Sequence, residues 1–119
     1  MKIKNIQIML VDKAIEALIA LKLPLKVKTN YKISQISLAI RSQASVIEMT
    51  KSQLIDKHGV NGVVDPNMPG FPSFMKEWKE VADIEIEVEV DKIKLEELDI
   101  DGVNIPIEIF RDLNPFIEK

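Results

Sequence analysis

The side chains in this 119-residue chain best suited to chemistry are cationic and aromatic rather than nucleophilic. Lys22, Lys26, Lys28 and Lys32 gather around Tyr31, Arg41 follows further along, and Trp78 is the one tryptophan. Ammonium and guanidinium groups hold carboxylates and phosphates through charge-assisted hydrogen bonds, and an aromatic ring offers a face to a planar ligand. Lys26, Lys28, Tyr31, Lys32, Arg41 and Trp78 therefore form the candidate binding set, for an anionic small molecule. The same residues also fit a blander role, the lysines as a solvated basic face and Trp78 as a core or interface anchor.

Other chemistries find little support. The chain has no cysteine, which excludes disulfides, thiolate metal sites and cysteine nucleophiles. His58 is the only histidine, so no multi-histidine metal cluster can form, and its place before Gly59 suits the last turn of a helix, where a cation complements the dipole. Glu85, Glu87 and Glu89 alternate along one straight segment, whereas carboxylates converging on a hard cation come from a turn or from several elements. Neither a Walker spacing nor a Gly-x-Gly-x-x-Gly run is present. The expectation is a non-enzyme with no catalytic residue, no metal and no cofactor.

Long elements must carry the basic and aromatic groups. Thr29 to His58 reads as one amphipathic helix, free of Gly and Pro, with Ile33, Ile36, Ile40, Ala44, Ile47 and Leu54 on one face and Ser34, Arg41, Ser45, Glu48 and Ser52 on the other. At about 1.5 Å per residue it spans roughly 40 Å, more than the core of so small a domain requires, so part of it should meet something else. A first helix from Asn5, with Asn5 as N-cap, is apolar over more than half its circumference and should be covered from two directions, by the long helix and by a sheet or a second subunit. Pro24 ends it.

The rest is shorter. Residues 59–72 form a Gly/Pro loop whose valines, Met68 and Phe71 should pack. A short helix follows at 73–82, then an alternating strand from Ile84 to Val90, and Asp101-Gly102 predicts a hairpin within 84–105. Residues 106–113 read as a C-terminal helix, and Lys2 to Lys4 as an extra strand. The fold class is α+β, in a single domain over 1–119: a helical hairpin (5–58), with one long helix, packed on a small, mainly antiparallel sheet.

Composition bounds the setting. The net charge of -3 conceals a division: residues 1–58 carry ten Lys/Arg and four Asp/Glu, or +6, and residues 59–119 carry six and fifteen, or -9. Such halves attract each other within one chain or between copies, which makes a homo-oligomer an expected state. Nucleic acid is a weaker candidate for an acidic chain with no basic tract interleaved with aromatics. No membrane-crossing stretch or leader is evident, so a soluble intracellular protein is expected.

Two stretches then carry a resemblance. Lys28-Thr29-x-Tyr31-x-Ile33 entering a long helix, and the pattern Ile93-x-Leu95-x-x-Leu98 through Ile105-Pro106 to Leu113-x-Pro115-Phe116-Ile117, resemble small uncharacterised proteins of tailed bacteriophages. The middle departs, with a Gly/Pro loop where such proteins carry a charged helical extension. The resemblance implies a phage protein in the host bacterial cytoplasm. Two roles follow as expectations: an oligomeric counter-defence protein that sequesters an anionic, nucleotide-derived immune signal, or a factor of virion assembly that binds a host or phage protein.

Overall fold

The stripe of Ile33, Ile36, Ile40, Ala44 and Ile47 is buried along one side of a helix, as its spacing requires. In a computed structural model, which describes residues 1–118, this helix, α2, runs Val27–His58 and is 32 residues long. At 1.5 Å per residue that is about 48 Å, and it sets the long axis of a molecule measuring 51 × 29 × 20 Å. The radius of gyration, 16.7 Å, exceeds the roughly 13.5 Å of a compact chain of this length. Beyond Ile47 no residue of α2 is fully buried.

The chain is α+β, with helices predominating. Strand β1 (Lys2–Lys4) leads into α1 (Asn5–Ala20), which packs against α2 and against α4 (Ile107–Leu113). Ile8, Val11, Ile15 and Leu18 of α1 are buried with Ile109, Leu113 and Phe116 in one core. The second cover of α1 is thus a helix, where a sheet or a neighbouring subunit was expected. Helix α3 (Phe71–Ala82) packs on the distal part of α2 and starts two residues earlier than expected, with Pro72 in its first turn, where a missing amide costs nothing.

The strands are shorter than the sequence pattern. Only Glu85–Glu87 of the alternating run forms β2, pairing antiparallel with β1 so that Lys2 faces Glu87 and Lys4 faces Glu85. A strand persists where it has a partner, and β1 offers three residues. β3 (Ile93–Lys94) pairs in parallel with β4 (Ile117–Glu118). The sheet the hairpin was expected to pack on is therefore two separate two-stranded pairings.

The hairpin at Asp101-Gly102 does not form. Leu95–Leu98 is a 3-10 turn, Val103 to Ile105 has no strand partner, and Val103 donates to the Ile100 carbonyl at 3.1 Å across the turn. Gly102 has φ 77° while Asp101 keeps a negative φ, a type II pattern that splays flanking strands. The hairpin-type turn is instead at Asn61-Gly62, where both φ values are positive (52° and 76°) and Val60 and Val63 exchange backbone hydrogen bonds of 2.9 and 3.1 Å. Gly59 ends α2 without the left-handed conformation that glycine commonly adopts at helix C-termini, since its φ is -99°. A Cβ there would collide with the Val63 carbonyl oxygen, and one on Gly70 with that of His58, so both glycines serve close backbone approach.

Candidate functional site

Lys32, in the second turn of α2, is engaged within its own chain. Its Nζ lies 2.8 Å from Glu97 Oε1, while Thr29 Oγ1 donates to Glu97 Oε2 at 2.9 Å and the Lys94 amide donates to Oε1 at 3.0 Å. Three donors, led by the Lys32 ammonium, hold the Glu97 carboxyl down at about 2, against an ordinary 4.5. The hydrogen bond to Glu97 in turn raises Lys32. This cluster ties α2 to the turn after β3.

Lys26 and Lys28 remain exposed beside Tyr31, whose ring is 63% exposed and whose hydroxyl accepts from Gln35 Nε2 at 3.2 Å. Lys26 is the N-cap of α2 and Lys28 stands in a first turn with no acidic residue. Cations at the positive end of a helix dipole cost about 0.5 kcal/mol each at a surface. Arg41 is exposed, donates to Ser37 Oγ at 3.2 Å and lies ten residues further along.

Trp78 is elsewhere. Its ring lies under Lys51 Nζ, 5.2 Å from the centroid, and its half-buried body packs on the core. Lys51 is twenty residues from Tyr31 along α2, about 30 Å of helix. Within one chain, then, Lys26, Lys28 and Tyr31 lie at the start of α2, Lys32 is paired there with Glu97, and Arg41 and Trp78 are separate. None of the six lines either of the two main surface cavities. The larger, about 810 Å³, is floored by Leu98, Val103 and Phe110 and edged by Glu96, Asp99 and Glu118; the other, about 780 Å³, lies between Gln35 and Leu38 of α2 and the Val88–Lys92 segment.

Sequence reasoning missed three features. Asn5 is buried: its Nδ2 donates to the Val81 carbonyl at 2.9 Å and its Oδ1 accepts from Gln43 Nε2 at 3.0 Å, so it pins α1, α2 and α3 together rather than capping α1. Glu97 is the second. The third is the outer face of α2, where Leu38 is 67%, Val46 53% and Met49 64% exposed. Its trace in the sequence is the uncharged series Tyr31, Gln35, Leu38, Ser42, Ser45, Met49 and Ser52, spaced alternately by four and three residues.

Among the described residues, no cluster of three His, Asp or Glu side chains is arranged to hold a metal ion. Among those residues, no helix is long and apolar enough to cross a membrane. Among the described residues, three ion pairs join the two halves of opposite charge, the Met1 amine with Glu87 (2.9 Å), Lys32 with Glu97 and Lys57 with Glu77 (2.9 Å), and His58 Nε2 is hydrogen-bonded to the same Glu77 carboxylate at 3.0 Å. No protein-family model, characterised protein or solved structure matches the chain.

Proposed function

We propose that this chain is a non-enzymatic interaction protein that works by docking the outer face of α2 onto another protein surface. One observation carries the reading: opposite the buried stripe from Ile33 to Ile47, α2 presents exposed Tyr31, Leu38 and Met49 in a charge-free series more than three turns long, with exposed Val46 beside it. Exposed apolar groups that recur along one face of a helix are a mark of an interaction surface. The resemblance to small tailed-phage proteins gives the setting, a factor of virion assembly or of another phage or host protein contact in the bacterial cytoplasm.

The test is a photo-crosslinking residue placed at Leu38, at Met49, and at exposed Lys13 on α1 as a control, in bacteria producing the protein. Discrete adducts are expected from the first two positions alone. If Leu38 and Met49 give none, or no more than Lys13, the reading fails.

A second reading, capture of an anionic nucleotide-derived signal in counter-defence, is favoured by one arrangement: Lys26 and Lys28 crowd the positive end of α2 beside the exposed Tyr31 ring, and a bound anion would relieve that repulsion. Equilibrium dialysis against a panel of cyclic and linear dinucleotides should then show binding that Lys26→Ala with Lys28→Ala weakens at least about tenfold. No binding by the unaltered protein would end it.

A further inference from the structure

We infer that the partner of the α2 outer face is a second copy of the same chain, its α2 running antiparallel, with a two-fold axis passing between Ser42 and Ser45. This rests on the reading of that face as a docking surface and names its occupant.

Tyr31, Gln35, Leu38, Ser42, Ser45, Met49 and Ser52 recur with the alternating four-three spacing of a coiled-coil seam, and Asp56 continues it. Folded against itself about the stated axis, the seam pairs in four kinds of layer. Ser42 meets the partner's Ser45, so that small side chains at the centre allow the helices to approach closely. Leu38 meets the partner's Met49, covering the two most exposed large apolar groups of the seam. Gln35 then meets Ser52, and Tyr31 meets Asp56, whose carboxylate can accept from the phenol. Each layer occurs twice, which is the self-complementarity a two-fold interface requires.

The flanks select this register over its neighbours. On one side Arg41 comes opposite the partner's Glu48, and Glu48 opposite the partner's Arg41; on the other, Ala39 comes opposite the half-exposed Val46. Neither Arg41 nor Glu48 forms an ion pair within the chain among the described residues. Sliding one helix by a heptad in either direction sets Arg41 against Arg41 or Glu48 against Glu48. A parallel, in-register pairing puts Arg41 beside Val46 and Glu48 beside Gln53, leaving both charges unmatched. Charge complementarity is met in the antiparallel register and not in these three, and like-charge contacts penalise the two shifted ones. α1 packs on the buried side of α2, and the Val88–Lys92 segment flanks Gln35 and Leu38 across a cavity of about 780 Å³, which the partner helix shares in this register.

The chain has no cysteine, so single thiols can be introduced without background. Leu38→Cys and Met49→Cys variants of the full chain are oxidised separately and as a mixture, and helicity checks that each folds. A crosslinked dimer should form in the mixture and in neither variant alone, because equivalent positions sit about 16 Å apart along the axis of an antiparallel pair. In sedimentation equilibrium the unaltered chain should be a dimer. Arg41→Glu or Glu48→Arg should each weaken it about tenfold, and the two together should restore it.

Crosslinking within one variant but not in the mixture would overturn the antiparallel register. A chain that stays monomeric at every concentration would overturn self-association; photo-adducts from Leu38 to a different protein would then leave the docking reading standing, and their absence would remove both.

Discussion

Glu97 shows how one carboxylate can decide what a lysine is for. With three donors around it and a carboxyl held at about 2, Glu97 binds fewer protons folded than unfolded through the acid range. Its contribution to stability is therefore full above the ordinary carboxylate value of 4.5 and is lost as pH falls from there toward 2. Glu77, lowered by hydrogen bonds from Lys57 and His58, acts with the same sign. Lys32, being raised, contributes at every pH below the ordinary lysine value and loses its share only in strong base. Glu97→Gln should cost about 1 kcal/mol at neutral pH, a value kept low for solvent screening of a partly exposed pair. It should also flatten the fall in chemical-denaturation midpoint between pH 5 and pH 2; a variant with the unaltered slope would show that the acid sensitivity lies elsewhere. Nothing near Lys32 in the sequence announces Glu97, which lies 65 positions away. A cluster of lysines is legible in a sequence as charge, but whether a given ammonium is free depends on contacts that only the fold brings together.

At the scale of elements, what was legible followed from local rules. The start of α1 and the end of α2 at Gly59 rest on periodicity and turn chemistry within a few residues, whereas α1 stops at Ala20, short of the expected break at Pro24, and α2 starts at Val27, two residues before Thr29. The strands were less legible because pairing is a property of two segments: seven alternating residues yielded a three-residue strand, and β3 found β4 rather than the segment after Asp101-Gly102. The outer face of α2 is hard to read for a different reason: its charged and serine positions mark it as solvated, and Leu38, Val46 and Met49 are interspersed among them. The Gly59–Gly70 loop, too, is shaped by contact. Gly70→Ala would push a methyl group into the His58 carbonyl at the end of α2, where the nearest atoms are all His58 backbone and no flexible side chain can yield. Thermal unfolding should report a loss of about 2 kcal/mol or more, whereas Gly62→Asn, at a left-handed turn with open space around it, should cost under about 1 kcal/mol.

For the whole molecule, the division of charge is the organising fact: a +6 half and a -9 half are joined by ion pairs at β1–β2, at Glu97 and at the far end of α2. Among the described residues, Lys32 and Lys57 are the two of the ten Lys/Arg in the basic half that form such pairs, so self-attraction within the chain uses part of the polarity and leaves the rest for other contacts. Arg41 and Glu48, both inside the basic half, are left for other use. The exposed Asn61-Gly62 turn falls at the boundary between the halves. Cut there, the protein becomes two oppositely charged fragments, each holding half of a core that neither can close by itself. Mixed together they should recombine into a helical complex, quickly at low ionic strength and more slowly as salt is added. Stopped-flow circular dichroism across a salt series would measure this, and an association rate indifferent to salt would refute electrostatic pairing. In an engineer's terms, the chain is already a split reporter: a single nick supplies the two components, and charge supplies the affinity that brings them back together.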